Sequence, residues 1–271
     1  MTTVGVIPAR YAATRFPGKP LAKDTGKYLI QHVYERASNC RSLDRIIVAT
    51  EDERIVAAVK SFGGEVRMTR PDHPTGTDRV GEVAAALGLS DDDLVLNVQG
   101  DEPEISPTVL DRLITRMRDS TGEALIGTVA AKFDDDGPKD GPGSPFDPNC
   151  VKVVVDAAGS AMYFSRSPIP FPRDTGGVVD RPSRWLLHMG VYAFRVPALQ
   201  RVTAGRMKPT TLEKSESLEQ LRWLENGMRI AVVLVDDRSV GIDTPQDYAA
   251  FVERTRLHGR SRMEAAAVNR G

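Results

Sequence analysis

The chain has 271 residues, of which 41% are hydrophobic and 27% charged, a composition typical of a globular protein with a substantial apolar core. Its 36 Lys and Arg residues balance 37 Asp and Glu residues, and the formal net charge of -1 at pH 7 excludes nucleic-acid or membrane binding by bulk electrostatics. The two cysteines, Cys40 and Cys150, are far apart, which argues against a disulfide framework or a C-x-x-C zinc site.

The chain opens without a basic leader or an apolar run of signal-peptide length. No later segment reaches the roughly 18 apolar residues that a membrane span needs. We therefore expect a cytoplasmic protein that acts on small solutes and binds neither nucleic acid nor membrane.

Short β-branched runs alternate with helical periodicity over the first hundred residues. The predicted strands are Val4–Ala9, Arg45–Thr50, Glu65–Thr69 and Leu94–Gln99. The predicted helices lie near Tyr28–Ser38, Glu53–Phe62 and Asp78–Leu87. This alternation predicts an α/β fold with a doubly wound, mostly parallel sheet, whose ligands bind at the carboxyl ends of the strands.

The second half of the chain has a different pattern. Lys132–Pro148 is rich in Gly, Asp and Pro and predicts an exposed loop; its triplet Asp134–Asp136 is either a set of metal ligands or, more typically, solvated charge. The elements predicted after it are strands Val151–Asp156, Ala161–Phe164 and Leu187–Phe194, helix Leu212–Glu225, strand Arg229–Val235 and a closing helix opened by Asp243-Thr244-Pro245. We expect one domain over residues 1–256, with an antiparallel insertion at roughly 150–210, and a flexible tail over 257–271.

The loop after the first strand carries three cations, Arg10, Arg15 and Lys19. Together they form a candidate anion-binding loop, although by itself the loop is equally compatible with plain surface charge. It is not a Walker A motif, because Ala13 and Pro20 replace required residues, and no G-x-G-x-x-G sequence occurs in the chain. NAD enzymes and P-loop NTPases are therefore disfavoured.

Two aspartates follow predicted strands. Asp101 lies in Gln99-Gly100-Asp101-Glu102-Pro103, and Asp243 lies in the segment that opens the last helix. Either residue alone is more typical of a turn or a helix cap. Magnesium binds through one or two carboxylates together with substrate phosphates, so the pair beside a basic loop predicts a Mg²⁺ site for a phosphate-bearing ligand.

Many separated motifs, in order along nearly the whole chain, resemble the 3-deoxy-manno-octulosonate (KDO) cytidylyltransferases, also called CMP-KDO synthetases. They include Ile7-Pro8-Ala9-Arg10-Tyr11, Arg15-Phe16-Pro17-Gly18-Lys19-Pro20, Asn97-Val98-Gln99-Gly100-Asp101-Glu102-Pro103, Thr75-Gly76-Thr77-Asp78-Arg79, Tyr163-Phe164-Ser165-Arg166, His188-Met189-Gly190-Val191-Tyr192 and Gly241-Ile242-Asp243-Thr244-Pro245.

This resemblance implies a single-domain nucleotidyltransferase with a Rossmann-like sheet that forms a homodimer through its antiparallel region. Arg10, Arg15 and Lys19 would hold the triphosphate of CTP, with Lys19, Asp101 and Arg10 as catalytic residues. Thr77 and Arg79 would close over the cytosine end. Asp101 and Asp243 would hold Mg²⁺.

By the same family pattern, a second group of residues would bind the acidic sugar. They are Gln99, Arg166, His188, Tyr192 and Glu216. Without the resemblance, His188 would be read as a core histidine and Glu216 as part of a solvated helix face, although His188 and Tyr192, at i and i+4 of one strand, point to the same side.

The acceptor is the open part of this interpretation, because the departures from the family pattern lie on the acceptor side. Lys132–Pro148 is unusually rich in Gly, Asp and Pro, and Met189 and Phe194 stand where other residues are commoner. The alternatives are a cytidylyltransferase for another small acid, such as a phosphonate or sialic acid, and a nucleotide- or sugar-binding protein without turnover. A mere binder has no need of Lys19, Asp101 and Asp243 together.

Overall fold

The computed structural model describes residues 1–12, 15–120, 124–203, 205–239 and 241–268, with side chains described as far as Leu257. The strands are β1 Thr3–Ala9, β2 Arg45–Thr50, β3 Val66–Met68, β4 Leu94–Asn97, β5 Ile126–Lys132, β6 Lys152–Val155, β7 Ala161–Ser165, β8 Leu186–Arg195 and β9 Ile230–Val235. The α-helices are α1 Leu29–Ser38, α2 Glu53–Ser61, α3 Gly76–Leu87, α4 Pro107–Asp119, α5 Val196–Val202, α6 Thr211–Glu216, α7 Glu219–Glu225 and α8 Pro245–Val268.

All nine of these strands belong to one sheet, whose main path runs β3-β2-β1-β4-β8-β5-β9. Neighbours on this path are parallel except at β8, which is antiparallel to both β4 and β5. The hairpin of β6 and β7 extends the sheet from the first residues of β8. The predicted α/β fold with a mostly parallel sheet is confirmed.

Helices cover both faces of the sheet because the strand residues are apolar on both sides. Val4 and Val6 of β1 pack into the core beneath α3 and α5, whereas Ile7 and Ala9 pack on the opposite side beneath α1, α2 and α4. A smaller cluster fixes α8 against the start of α1. The carboxyl ends of β1 and β4 therefore open onto one edge of a rigid framework.

The antiparallel region, predicted as an insertion at roughly 150–210, belongs to the same sheet as the parallel strands. Only β6 and β7 lie off the main path, whereas β8 occupies the middle of the sheet. Its residues Val191 and Ala193 are fully buried, which is the environment of a central strand. The region from 150 to 210 is therefore partly a hairpin and partly core.

Two further predictions, the helix over Leu212–Glu225 and the exposed loop over Lys132–Pro148, are corrected by the structure. The helix predicted over Leu212–Glu225 is two helices, because Ser217 ends α6 in the left-handed conformation with φ of 51°. The segment predicted as an exposed loop buries Phe133 beside Val179 and Trp185. Helix α8 continues to Val268, so the tail predicted from residue 257 does not begin at a helix end; residues 269–271 lie outside the described part of the chain.

Candidate active site

A cavity of about 770 Å³ opens where the segments after β4 and β9 meet the middle of β8. This is the carboxyl edge of the parallel strands, the predicted place for a ligand. The predicted site residues that line it are Arg15, Thr77, Gln99, Asp101, Arg166, His188, Tyr192 and Asp243. Arg10, Lys19, Arg79 and Glu216 do not contribute to this lining.

The basic loop after β1 delivers Lys19 and Arg15 to two carboxylates. Lys19 lies in a short 3-10 helix, and its Nζ is 2.9 Å from Asp101 Oδ2 and donates to the Ile242 carbonyl at 2.6 Å. Arg15 Nη2 lies 2.9 Å from Asp243 Oδ1, in an exposed pair. Each predicted metal-binding carboxylate is therefore paired with a cation from the predicted phosphate-binding loop.

Arg10, the first cation of the loop, has a different partner. Its Nη2 donates to the His73 carbonyl at 2.5 Å, which joins the end of β1 to the segment before α3. The His73 ring in turn bonds to the Glu82 carboxylate. Arg10 thus lies toward the side of the site where the chain turns into α3.

The turn after β4 brings Asp101 close to the end of β1. A Cβ atom added to Gly100 would lie 2.7 Å from the Pro8 carbonyl oxygen, so only glycine lets the two backbones approach this closely. Glu102, the residue after Asp101, is buried and accepts a bond from Ser239 Oγ at 2.6 Å. Burial raises the pKa of Glu102 to about 7, and the nearby Asp101 charge adds to this effect.

The segment between β9 and α8 carries Asp243 to the same edge. Ile242 N donates to the Asp101 carbonyl at 2.8 Å, and this backbone bond docks the segment onto the turn after β4. Thr244 and Asp247 form a reciprocal cap at the start of α8, with Thr244 N donating to Asp247 Oδ2 at 2.8 Å and Asp247 N to Thr244 Oγ1 at 3.2 Å. Asp243 therefore stands directly before a well-defined helix start.

Asp101 and Asp243 fit a divalent metal only as partial ligands. Among the described residues no group of three or more His, Cys, Asp or Glu side chains is arranged to hold a metal ion. Two carboxylates, each paired with a cation of the loop after β1, match the donor set of a magnesium ion that completes its coordination with substrate phosphates and water. The alternative ligands Asp134–Asp136 gain no support, since Asp135 instead accepts bonds from Ser183.

Thr77 and Arg79 belong to the first turn of α3 and point to different places. Thr77 Oγ1 donates to Glu219 Oε2 at 2.7 Å at the wall of the cavity. Arg79 has no exposed surface; its Nη2 lies 2.6 Å from Glu51 Oε2, and burial lowers its pKa. The structure brings Thr77, but not Arg79, to the cavity.

A bulge in β8 brings His188 and Tyr192 together. Ala130 of β5 pairs with His188 and Thr128 pairs with Tyr192, so five residues of β8 lie opposite three residues of β5. In a regular strand an i,i+4 pair would be separated by about 13 Å. The two ring centroids are 5.4 Å apart instead, and both rings line the cavity.

The bulge is held from both sides. Gln99 Nε2 donates to the Gly190 carbonyl at 2.9 Å, and Thr128 Oγ1 donates to the Val191 carbonyl at 2.8 Å. Burial lowers the pKa of His188 to about 3, so the ring is neutral at neutral pH. A neutral imidazole can accept or donate a hydrogen bond, which suits a ligand hydroxyl.

Arg166 and Glu216 form a clamp between β7 and the α6–α7 junction. The Glu216 carboxylate accepts bonds from Ser165 Oγ at 2.6 Å and from Arg166 N at 2.9 Å. Arg166 donates through Nε to the Glu216 carbonyl and through Nη1 to the Pro148 carbonyl, each at 2.7 Å. Arg166 lines the cavity with its orientation fixed by these bonds, which leave N–H groups on Nη1 and Nη2 for a ligand, whereas Glu216 holds the Arg166 backbone N–H.

Several residues of the cavity were not predicted from the sequence. They are Asn97, Glu102, Asp147, Glu219, Gln220 and Trp223. Asn97 and Glu102 lie in the motif Asn97–Pro103, and Glu219 and Gln220 lie close to the predicted Glu216, but no chemical signal separates Asn97 or Glu219 from their neighbours. Burial raises the pKa of Glu219, which bonds to Thr77 and to Arg222.

A sequence model described as Cytidylyltransferase matches residues 4–230. The 3-deoxy-manno-octulosonate cytidylyltransferase of Solibacter usitatus is 47% identical over 244 residues, covering 90% of each chain. That of Geotalea daltonii is 47% identical over 268 residues, covering 96% of this chain and all (100%) of its own. The chain belongs to the 3-deoxy-manno-octulosonate cytidylyltransferase family.

Solved structures agree with this assignment. A CMP:2-keto-3-deoxy-manno-octonic acid synthetase complexed with CTP is 39% identical, with a TM-score of 0.82, and the match covers 96% of this chain and 100% of that chain. A cytidylyltransferase from Leptospira borgpetersenii, 14% identical with a TM-score of 0.58 over 92% of this chain and 84% of its own, shares the fold alone. The protein is a nucleotidyltransferase enzyme with small-molecule substrates.

Within the described residues, no helix has the length and apolar character to cross a bilayer.

Proposed function

We propose that this enzyme transfers CMP from CTP to 3-deoxy-manno-octulosonate and releases pyrophosphate. The observation that carries the proposal is the 39% identity, over the whole of the solved chain, to a synthetase for this acid complexed with CTP. The cavity supports it, because cations and carboxylates converge there without a nucleophilic triad. Such a set suits nucleotidyl transfer, which depends on positioning and charge neutralisation.

In the proposed reaction an acceptor hydroxyl oxygen, the anomeric one in KDO, attacks the α-phosphorus of CTP. A bond forms from that oxygen to phosphorus, the bond from phosphorus to the bridging oxygen of pyrophosphate breaks, and the hydroxyl proton is released to solvent. Lys19, Arg15 and Arg10 would bind the triphosphate, with Lys19 closest to the reacting phosphates. Thr77 would face the cytosine end. Arg79, which is buried and pairs with Glu51, would support this end indirectly by stabilising the start of α3.

Enzymes of this family use a divalent metal, and we propose Mg²⁺ held by Asp101 and Asp243. The bound ion would neutralise phosphate charge and lower the pKa of the attacking hydroxyl. The role of the chain is to present both carboxylates beside the cation loop. Asp101→Asn and Asp243→Asn should each preserve the circular dichroism spectrum and lower turnover at least 100-fold, the scale of losing a charge-stabilising group.

The acceptor would lie against the bulge of β8. Gln99, His188 and Tyr192 would bond to its hydroxyls, and Arg166 to its carboxylate. Arg166 already donates to the Pro148 and Glu216 carbonyls, so it would bind the carboxylate through the remaining N–H groups of Nη1 and Nη2. Glu216 would then act by holding the Arg166 backbone in place.

We also propose that the antiparallel region forms a homodimer interface. Three large apolar residues of this region are exposed: Met162 on β7 by 63%, and Phe171 and Val178, which follow it in the chain, by 69% and 62%. A group of large apolar side chains exposed in one region is typical of an association surface. Light scattering after size exclusion should give twice the monomer mass, and M162D/F171D should give the monomer mass; a wild-type monomer contradicts the proposal.

The acceptor is tested by incubating the enzyme with CTP, Mg²⁺ and a panel of acids while pyrophosphate is measured and the CMP ester is identified by mass. KDO should react fastest, with Asp101→Asn as the inactive control. A phosphonate that reacts far faster than KDO would refute the acceptor but keep the cytidylyl transfer. A protein that binds CTP and releases no pyrophosphate with any acid would refute both.

A further inference from the structure

The Glu102 carboxylate is buried directly after Asp101 and has no part in the chemistry proposed above. Its residue is 7% exposed, and its Oε2 accepts a 2.6 Å bond from Ser239 Oγ. The Gly190 backbone N–H also favours the ionised carboxylate and lowers the pKa of Glu102, though less than Ser239 does. A buried carboxyl group needs such partners, but their location is informative, because Ser239 lies on the segment that carries Asp243.

That segment is joined to the turn after β4 by hydrogen bonds, and the buried Ile242 side chain packs with α8. Besides the Ser239 bond, Ile242 N donates to the Asp101 carbonyl at 2.8 Å and Lys19 Nζ donates to the Ile242 carbonyl at 2.6 Å. Asp243 itself has a side chain that is 46% exposed and pairs with Arg15, a residue still more exposed. Its position opposite Asp101 is therefore set by the backbone on which it stands.

The Lys19 contact is expected to change during the reaction, because Lys19 is the proposed ligand of the phosphates. When Lys19 moves toward a triphosphate, the Ile242 backbone bond, the burial of the Ile242 side chain and the Ser239–Glu102 bond remain to hold the segment. Both bonds precede Asp243 in the segment, the Ser239 bond by four residues and the Ile242 bond by one residue.

We propose that Glu102 is a positioning residue, whose bond to Ser239 Oγ holds Asp243 opposite Asp101 so that both carboxylates reach one divalent ion. This inference rests on the proposed function, since it assumes that Asp101 and Asp243 share that ion. It assigns no proton transfer to Glu102. It also gives a role to an acid at a buried position where an apolar residue would otherwise pack more favourably.

The test compares Ser239→Ala with Ser239→Thr in the full chain. The Ala variant removes the hydroxyl, and the Thr variant restores it with one added methyl group. A matched control is Ser90→Ala, because Ser90 Oγ donates to the buried Asp93 carboxylate at 2.8 Å at the opposite end of β4. Both Ala variants lose one hydroxyl-to-carboxylate bond, but only one of them lies near the metal site.

Mn²⁺ binding in the presence of CTP is measured from the electron paramagnetic resonance signal of the free ion, and unfolding is measured separately. Ser239→Ala should weaken Mn²⁺ binding about tenfold, Ser239→Thr should return it to within about twofold of wild type, and Ser90→Ala should leave it unchanged. Equal Mn²⁺ affinity in wild type and Ser239→Ala overturns the inference. Loss of affinity in Ser90→Ala as well would mark the effect as general destabilisation and overturn it too.

If Ser239→Ala does not fold, Glu102→Gln and Glu102→Asp replace it. Gln keeps an acceptor oxygen at the same reach and should retain Mn²⁺ binding within about threefold, whereas the shorter Asp should lose about tenfold. The opposite order overturns the inference. Failure of the wild-type enzyme to bind Mn²⁺ with CTP would instead remove the metal site of the proposed function, so the two failures are distinguishable.

Discussion

Replacement of Lys19 by methionine should have opposite effects on metal and nucleotide binding. The Lys19 ammonium is 12% exposed and lies 2.9 Å from Asp101 Oδ2, on the carboxylate that we assign to the metal. Without nucleotide the ammonium and a divalent ion compete for this carboxylate. Lys19→Met removes the competitor, so Mn²⁺ should bind more tightly to the free enzyme while CTP binds more weakly.

The magnitude follows from the geometry of the pair. Coulomb attraction between unit charges about 4 Å apart is about 1 kcal/mol in water and about 4 kcal/mol at an effective dielectric constant of about 20. Because the Asp101 side chain is 31% exposed, solvent screens the pair, and we take a value near the low end. About 1–2 kcal/mol corresponds to roughly 5- to 30-fold tighter Mn²⁺ binding. The lost bond to the Ile242 carbonyl acts in the opposite direction, but a neutral acceptor contributes less than a charged one.

The assay is a Mn²⁺ titration followed by electron paramagnetic resonance, without CTP and then with it. Lys23→Met is the matched control, because Lys23 lies in the same part of the chain over the Tyr28 ring, 4.5 Å from its centroid, and has no carboxylate partner in the described contacts. Its Mn²⁺ affinity should equal that of wild type. If Lys19→Met binds Mn²⁺ no more tightly than wild type without CTP, Lys19 does not compete with the metal and the assignment of Asp101 is weakened.

Three other variants test the site and its support. Burial lowers the folded-state pKa of His188 to about 3 from its ordinary 6.5, so the unfolded chain binds an extra proton between these values and stability falls as pH decreases through that window. The free energy of unfolding in urea should therefore fall less in His188→Asn than in wild type between pH 7 and pH 4, by a few kcal/mol. An equal fall in both proteins would contradict a buried neutral ring. Gly100→Ala places a Cβ 2.7 Å from the Pro8 carbonyl oxygen and should lower turnover at least tenfold at unchanged secondary structure; near-normal turnover would mean that the turn adapts without moving Asp101. Arg79→Met leaves the Glu51 carboxylate without its 2.6 Å partner and should lower the free energy of unfolding by about 3 kcal/mol, with turnover per folded molecule kept within about threefold; a much larger loss of turnover would place Arg79 in CTP binding.

Local pattern determined the order and type of most elements. The strand predicted at Arg45–Thr50 is observed with the same bounds, and the runs predicted for β1 and β9 differ from the observed strands by one residue at an end. These segments were predictable because a strand covered on both faces must be apolar throughout. Helix α4 and strand β5 received no prediction, although Val109, Leu110, Leu113 and their neighbours repeat with helical spacing.

The site was predictable where its residues follow strands, because the carboxyl ends of parallel strands meet at one edge. That rule placed Asp101 near the basic loop, and the structure has Lys19 and Asp101 in contact. The burial of Arg79 on α3 was not predictable, because it depends on Glu51, which directly follows β2.

Tertiary structure alone decided the acceptor side of the cavity. The sequence by itself put His188 and Tyr192 on one face of a strand, but the distance between them depends on two extra residues of β8 opposite β5. A bulge is a property of paired strands, and no residue type in β8 specifies it without its partner. The Ser239–Glu102 bond likewise joins residues 137 positions apart, so it exists only once β9 and α8 have packed against the turn after β4. Long-range pairings of this kind carry no local signal. For this reason the sequence predicted which residue types gather at the site, but not the distances and contacts between them.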